Sequence, residues 1–382
     1  VACSRILGPT MNRLVKIYTF GCQMNVYDSE RLFENLSLLG YSQTEEDGDA
    51  DLIILNTCSV RDKPEQKVRS LLGRLKKIKR NNPKLILALG GCQGKQHGKS
   101  LLNSISHLDL VFGPDQVSVI HELVARISSS GERLAATGTL DDPEMTLLRG
   151  TPRKTGSVTG HVSIMKGCDQ FCSYCIVPYL RGRELSKSPE AVIEEVSGLV
   201  EGGSTDIVLI GQNVNRYGLD KAGYPSFSRL LREVHDLDGL ARLSFVTSNP
   251  ADCPDELLEC FANLPKLSSQ FHLPMQSGSD RILARMRRRY DRAHYFSLIE
   301  RLREIRPEIN ISTDIIVGFP SETDEDFELT MDAAERMAWG SSFSFAFSPR
   351  PGTRASEFED DVPFEVKSER LARLQKKLHG DM

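Results

Sequence analysis

Three cysteines lie close together in the stretch Gly-Cys-Asp-Gln-Phe-Cys-Ser-Tyr-Cys, residues 167–175. Their spacing, C-x3-C-x2-C, puts the thiols of Cys168, Cys172 and Cys175 on one short loop. A tetrahedral zinc site takes a fourth ligand, usually from a second C-x2-C or an H-x3-H, and none follows nearby. A cubane iron–sulfur cluster held by three thiolates leaves one iron open. We therefore predict an iron–sulfur cluster here, with a zinc loop or a redox thiol cluster as alternatives.

The motif resembles the signature of radical S-adenosylmethionine (SAM) enzymes, C-x3-C-x-aromatic-C, with Tyr174 as the aromatic residue. The resemblance implies that the three cysteines hold a catalytic 4Fe-4S cluster and that Tyr174 contributes to cofactor binding. It also implies that SAM chelates the open iron, and that reductive cleavage of SAM releases a 5′-deoxyadenosyl radical.

Length and composition set the class of protein. A chain of 382 residues predicts two or three domains, and 40% hydrophobic with 26% charged residues is typical of a soluble globular protein. No apolar run approaches the ~18 residues that cross a bilayer, and the first ten residues lack the apolar core of a secretory signal. Nine dispersed cysteines favour ligands in a reducing compartment over disulfides. We expect a cytoplasmic protein, no membrane contact, and a leader or disordered segment over 1–13.

Residues 14–130 are predicted to form an α/β domain with a doubly wound parallel sheet, because short apolar strands alternate with helices. Cys22, Cys58 and Cys92 each follow a predicted strand closely. A lone cysteine after a strand is more often a buried hydrophobe. The carboxyl ends of parallel strands share one edge, where ligands bind, so these three are predicted to converge on a second cluster.

The residues around these cysteines resemble the N-terminal domain of methylthiotransferases. The similarity covers Gly-Cys-Gln-Met-Asn-Val-Tyr-Asp-Ser-Glu (21–30) and Asn-Thr-Cys-Ser-Val-Arg (56–61), while Gly-Gly-Cys-Gln-Gly-Lys (90–95) departs slightly after its cysteine. The resemblance implies that the triad holds an auxiliary 4Fe-4S cluster, so that the chain carries two clusters in all.

Residues 131–153 are predicted to be a linker, and 154–382 a partial (β/α)6 TIM-like barrel with a C-terminal helix. The six predicted strands are 161–165, 206–210, 242–246, 269–273, 309–317 and 342–347. Such barrels carry their chemistry on the loops at the carboxyl ends of the strands. We assign the residues there to SAM and substrate binding as a group, although His272 alone would more often be a core histidine. The candidates are Gly211, Gln212, Asn213, Ser248, His272, Gln276 and Asp314.

From Val162 to Leu374 the chain resembles tRNA methylthiotransferases of the MiaB type, for example at Ile-Val-Pro-Tyr (176–179) and Arg-Pro-Gly-Thr (350–353). The resemblance implies methylthiolation of carbon 2 of N6-isopentenyladenosine at position 37 of tRNA, with one SAM cleaved and a second methylating the sulfur. It also implies an electron donor such as flavodoxin or ferredoxin, a sulfur donor of unknown identity, and a monomer. Arg289 and Phe347 depart from the family pattern. The family normally continues into a TRAM-like RNA-binding module, whereas this sequence stops at Met382, so it is either a fragment or a protein that lacks the module.

Two basic segments are candidates for tRNA contact. Residues 61–84 place cations on the outer face of an amphipathic helix, and residues 281–306 are rich in arginine. A charged helix face is usually plain solvated surface, but on such an enzyme these segments predict phosphate contacts.

Three alternatives stay open. The nearest is a sister methylthiotransferase acting on threonylcarbamoyladenosine in tRNA or on a ribosomal-protein aspartate, although Gln-Met-Asn (23–25) favours the isopentenyladenosine branch. The others are an iron–sulfur RNA-binding or regulatory protein without turnover, and a zinc protein. Cys3, Cys253 and Cys260 are interpreted as plain residues.

Overall fold

The structure, a computed structural model, describes residues 13–59, 62–140 and 157–379. Residues 1–12 of the predicted leader and most of the predicted linker lie outside this part of the chain, and Arg13 belongs to the first strand. The chain divides into two compact units, Val1–Thr151 and Pro152–Met382. No described helix is long and apolar enough to cross a membrane.

The first unit is built on a six-stranded, wholly parallel sheet in the order β2-β1-β3-β4-β5-β6. Its strands are β1 (Arg13–Thr19), β2 (Tyr41–Gln43), β3 (Leu52–Thr57), β4 (Ile86–Gly91), β5 (Leu110–Phe112) and β6 (Leu134–Ala136). Its helices are α1 (Gln23–Ser37), α2 (Asp62–Asn81), α3 (Cys92–Ser104) and α4 (Ile120–Ser130). The predicted parallel α/β sheet is confirmed.

Helices cover both faces of this sheet, which explains why its central strands are continuous apolar runs. Every residue of β3 and β4 is buried. Ile54 and Ala88 pack into the core on one face, whereas Ile53 and Leu87 pack into the core on the other.

Two edge strands differ from the sequence-based prediction. β2 was not predicted, and β6 lies within residues 131–153, which were predicted to be a linker. β6 pairs in parallel with β5, so the first domain extends past residue 130. Both strands are three residues long, and so short a run carries little periodic signal.

The second unit contains six parallel strands that follow one another in chain order. β7 (Thr159–Ser163), β10 (Asp206–Ile210) and β11 (Arg242–Phe245) form one sheet, and β12 (Gln270–His272), β13 (Asn310–Val317) and β14 (Ser341–Ala346) form another. The Leu243 N–H donates to the Lys266 oxygen at 2.8 Å and the Ser268 N–H to the Leu243 oxygen at 2.7 Å, which joins the two sheets. The predicted six-strand barrel is confirmed, and β7 and β14 are not paired in the described residues.

Helices surround this curved sheet and fill the chain between its strands. They are α5 (Val177–Arg181), α6 (Pro189–Glu201), α7 (Phe227–His235), α8 (Asp255–Asn263), α9 (Asp280–Arg285), α10 (Arg292–Ile305), α11 (Asp324–Met337) and α12 (Phe364–His379). A short antiparallel pair, β8 (Met165–Lys166) with β9 (Leu185–Ser186), flanks the cysteine loop. The outer face of β13 is sealed by Ile315 and Val317, which pack with Phe327 of α11 and Leu374 of α12.

Candidate functional site

The cysteine loop leaves β8 through a tight turn that only glycine fits. Gly167 has φ of +77°, and a β carbon there would collide with the backbone oxygen of Arg183. The Cys168 N–H donates to the Gly182 oxygen at 3.1 Å, and the Cys175 N–H donates to the Cys172 oxygen at 3.0 Å. All three thiols are free and half-buried on one loop, which follows the first strand of the barrel as predicted.

Burial disfavours ionisation of two of these thiols. It raises the pKa of Cys168 and the pKa of Cys175 to about 12. A metal centre binds the thiolate and not the thiol, so it would offset this cost. The donor set, three thiols on one loop, fits an iron–sulfur cluster with one open iron.

Ser173 anchors the middle of the cysteine loop. Its N–H donates to the Met286 oxygen at 3.0 Å, and its hydroxyl donates to the Arg285 oxygen at 2.8 Å. Its own carbonyl accepts from the Ala355 N–H at 2.7 Å. Ser173 is 1% exposed, so the loop is held by buried hydrogen bonds to α9 and to the segment before α12.

A chain of carboxylates and cations braces the start of the loop. The Asp169 N–H donates to Glu184 Oε1 at 3.1 Å, and Arg183 donates to the Asp169 carboxylate at 2.6 Å. Arg216, which follows β10, pairs with Glu184 at 2.8 Å. The loop is thereby tied to the segment just before β9 and to the segment that follows β10.

The Asp252 carboxylate accepts hydrogen bonds from several side chains near the carboxyl ends of the barrel strands. It accepts from Gln170 at 2.9 Å, from Asn213 at 2.8 Å and from Arg289 at 3.4 Å. The carbonyl oxygen of Asn213 and the hydroxyl of Ser248 are buried without a hydrogen-bond partner among the described residues. Both residues were predicted to bind SAM or substrate, and unsatisfied polar atoms at strand ends fit a ligand site.

The remaining predicted pocket residues fall into two groups. Gly211 allows close packing, because a β carbon there would lie 2.6 Å from Met165 Cγ, and Gln212 accepts from the Gly167 N–H at 2.5 Å. His272 lies 2.9 Å from the Ser312 hydroxyl through Nδ1 and 3.4 Å from the Asp314 carboxylate through Nε2.

Gln276 completes the second group. It adopts φ of +70°, and its N–H donates to the Asp314 oxygen at 2.8 Å. The structure therefore brings His272, Asp314 and Gln276 together at β12 and β13. Tyr174 packs instead in an apolar cluster with Met286 and Phe319.

Phe343 is a pocket candidate that the sequence analysis missed. On β14 it pairs in register with Asp314, and Phe345 pairs with Ile316, so these side chains share the inner face of the barrel. Phe343 is 50% exposed. The alternation in Ser-Ser-Phe-Ser-Phe-Ala was the available signal, but it does not say which face is inward.

Arg288 is the other residue that was not identified. Its Nη1 donates to the Cys172 sulfur at 3.4 Å, and its Nη2 donates to Asn249 Oδ1 at 3.1 Å. It lies in the segment 281–306, which was interpreted as a phosphate-binding surface. No local pattern separates it from the neighbouring arginines.

The structure changes the interpretation of that arginine-rich segment. Five of its nine arginines pair with carboxylates of the same unit, which offsets part of the positive charge of this segment. The pairs include Arg281 with Asp326, Arg289 with Asp252, Arg292 with Asp332, Arg301 with Asp255 and Arg306 with Glu308. By contrast, Lys76, Lys77 and Arg80 are exposed on α2, as the amphipathic pattern predicted.

The three cysteines of the first unit follow strands whose ends are level. Thr19 pairs with Asn56, and Thr57 pairs with Gly91, so β1, β3 and β4 end at one edge. Cys22 is exposed just before α1, Cys58 is buried after β3, and Cys92 is buried at the first position of α3. Their three loops are therefore neighbours.

Hydrogen bonds connect these loops directly. Asn25 donates to Asn56 Oδ1 at 3.2 Å and to the Thr57 oxygen at 3.1 Å. Gln93 donates to the Cys58 oxygen at 3.3 Å. Within the described part of the chain, no three His, Cys, Asp or Glu side chains converge as ligands of a single metal ion. Like the loop triad, this triad offers three thiols, a donor set suited to a cluster in which different irons take different thiolates.

Two family models match the chain. The first, an uncharacterized protein family designated UPF0004, matches residues 14–113. The second, the radical SAM superfamily, matches residues 162–334. The two matches cover the first-unit triad and the cysteine loop respectively.

Curated relatives match nearly the whole chain. A tRNA-2-methylthio-N(6)-dimethylallyladenosine synthase of Geobacter metallireducens is 49% identical over 96% of this chain and 82% of its own length. The synthase of the same name from Myxococcus xanthus is 48% identical over 94% of this chain and 78% of its own length.

Solved structures share the fold at low sequence identity. The radical SAM methyltransferase TsrM of Kitasatospora setae superposes with a TM-score of 0.64 at 17% identity, covering 90% of this chain and 77% of that one. The cobalamin-dependent radical enzyme OxsB gives a TM-score of 0.59 at 12% identity, covering 96% of this chain and 55% of that one.

Proposed function

The chain belongs to the tRNA-2-methylthio-N(6)-dimethylallyladenosine synthase family of radical SAM enzymes, and we propose that it methylthiolates carbon 2 of N6-isopentenyladenosine at position 37 of tRNA. The observation that carries the proposal is the cysteine loop, whose three thiols follow the first strand of a parallel barrel. Carbon 2 of adenine is an unactivated C–H that acid–base chemistry does not open, and this accounts for the need for a radical.

Cys168, Cys172 and Cys175 would hold the 4Fe-4S cluster of the barrel. When bound, such a cluster supplies an open iron for SAM and the electron that cleaves SAM to a 5′-deoxyadenosyl radical. SAM would bind to residues at the ends of β10 and β11. Support for this comes from Asn213 and Ser248, which keep buried polar atoms without hydrogen-bond partners among the described residues.

Cys22, Cys58 and Cys92 would hold the second cluster. Three level strand ends and the hydrogen bonds among their loops support this assignment. A cluster in this place would supply the sulfur that the product gains. The radical and sulfur functions would then depend on different cysteines.

Substrate binding would use the inner face of β12–β14. Phe343 offers an apolar surface suited to the dimethylallyl group, and Asp314 beside it in register offers hydrogen-bond acceptors suited to the purine edge. His272 Nε2 lies 3.4 Å from the Asp314 carboxylate, on the same side of this surface. We expect the protein to act as a monomer with tRNA, a sulfur donor and an electron donor of the flavodoxin or ferredoxin class.

The test uses anaerobically reconstituted protein, SAM, a reductant and tRNA carrying isopentenyladenosine, with nucleosides analysed by mass spectrometry. We expect 2-methylthio-N6-isopentenyladenosine from the wild type. Cys175→Ala should make neither this product nor 5′-deoxyadenosine. Cys22→Ala should still make 5′-deoxyadenosine but no methylthio product.

Two results would contradict the proposal. Methylthiolation by Cys22→Ala at the wild-type rate would remove the sulfur role from the first triad. If product formed only on tRNA carrying threonylcarbamoyladenosine, or if no tRNA were modified, isopentenyladenosine would be rejected as the substrate.

A further inference from the structure

The guanidinium of Arg288 is held by three groups at the edge of the cysteine loop. Nη1 lies 3.4 Å from the Cys172 sulfur, Nη2 lies 3.1 Å from Asn249 Oδ1, and Nε lies 3.1 Å from Tyr290 Oη. The guanidinium also stacks 5.0 Å from the Tyr290 ring centroid. Because three of its nitrogens have separate partners, the orientation of the planar guanidinium group is fixed.

The backbone on both sides of Arg288 is fixed as well. Arg287 adopts φ of +59° just after α9, and the Arg288 N–H donates to the Leu283 oxygen at 2.9 Å. Tyr290 donates to the Met275 oxygen at 2.7 Å beyond β12. The backbone of Arg288 is therefore held at the C-terminal end of α9, and its side chain extends from there to the cysteine loop.

A cation that donates a hydrogen bond to a cluster sulfur favours the more negative, reduced form of the cluster. Hydrogen bonds to the sulfurs and nearby charge are known determinants of cluster reduction potential. The bond is charge-assisted because arginine is always protonated, and it strengthens further once Cys172 is a thiolate. Half-buried and with three partners, Arg288 is less screened than an exposed cation.

We propose that Arg288 is a positioning residue that raises the reduction potential of the barrel cluster through its hydrogen bond to the Cys172 sulfur. The inference rests on the proposed function, because it takes the loop triad as the ligand set. It adds a residue outside the cysteine motif, 116 positions from Cys172 in the chain, that sets how readily the cluster accepts an electron.

The test is a potentiometric titration of the full-length, reconstituted protein followed by electron paramagnetic resonance. The barrel cluster is identified as the reduced-state signal that disappears in Cys175→Ala. In Arg288→Gln we expect the equilibrium constant for its reduction to fall about tenfold, the effect of one charge-assisted hydrogen bond, which equals a shift of about 59 mV to more negative potential. Arg288→Lys keeps the charge without the forked geometry, so its reduction potential should lie between those of the wild type and Arg288→Gln.

Arg289→Gln is the matched control, because Arg289 is the next residue and pairs with Asp252 instead of a cysteine. An unchanged potential in Arg288→Gln, or an equal shift in Arg289→Gln, would overturn the inference. If Arg288→Gln does not retain the cluster, the test rests on Arg288→Lys. A reduction potential of Arg288→Lys equal to or above that of the wild type would then overturn the inference. If Cys175→Ala loses no reduced-state signal relative to the wild type, the assignment of a cluster to the loop triad is itself rejected.

Discussion

A β carbon placed on Gly21 would lie 2.6 Å from the Cβ of Cys58. The two residues belong to the loops after β1 and β3, so the contact shows how closely two cysteine-bearing strand ends approach. Gly21 also adopts φ of +128°, which side chains rarely tolerate.

Gly21→Ala should therefore displace the first-unit triad. We expect the variant to lose about half of the iron bound by the wild type, since one of two four-iron clusters would be lost. Iron analysis after anaerobic reconstitution measures this. Gly40→Ala is the control, because Gly40 also has positive φ, +80°, but has no atom within 4 Å of an added β carbon. Full iron content in Gly21→Ala would show that the loops adapt to the extra atom.

The exposed cations of α2 should contribute to tRNA binding. Replacing Lys76, Lys77 and Arg80 by glutamate should weaken binding, and the slope of log affinity against log salt should fall by up to about 3, since each phosphate contact releases counterions. The control is Arg126→Glu on α4, which is exposed and lies on the opposite face of the same sheet. Binding that is unchanged at low salt would make the α2 face ordinary solvated surface.

Phe343→Ala should impair use of the prenylated substrate without impairing SAM cleavage. Losing the apolar contact should lower kcat/KM for methylthiolation by about tenfold or more, while 5′-deoxyadenosine continues to form. Phe364→Ala is the control, because Phe364 is 75% exposed at the start of α12. An equal effect of the two substitutions would remove Phe343 from the proposed substrate surface.

Stability should fall with rising pH through the titration of Glu322. Burial raises the pKa of this carboxyl to about 7 from 4.5, even though the Gly318 N–H and Arg370 favour its charged form. Because the folded pKa is the higher one, the folded state binds more protons than the unfolded state between about pH 4.5 and 7. The free energy of unfolding should therefore decrease across this window, by at most about 3 kcal/mol.

Urea unfolding at pH 5 and pH 8 measures this effect in the wild type and in Glu322→Gln. The decrease should be smaller in Glu322→Gln, which does not titrate. Glu328→Gln is the control, because Glu328 of α11 pairs with Arg373 of α12 at 2.7 Å but is exposed. The same pH dependence in the wild type and Glu322→Gln would show that another group is responsible.

The amino-acid sequence was enough to predict the features that depend on residues close together in the chain. Cys168, Cys172 and Cys175 share a loop because they are separated by only a few residues, and no folding step could disperse them. The convergence of Cys22 with its partners also followed from local pattern, because level ends are a general property of parallel strands joined by helices. The two-unit fold and the family resemblance rest on the same signals.

Which distant side chains contact these loops depends on how the whole chain folds. Arg288 reaches Cys172, Asp252 collects Gln170 and Asn213, and Arg301 pairs with Asp255 through contacts between segments far apart in the chain. Periodicity shows that a residue is on a charged or apolar face, but not what that face meets. An arginine that pairs internally therefore looks the same in sequence as one that binds phosphate, because the difference lies in the carboxylate or sulfur that folding brings beside it.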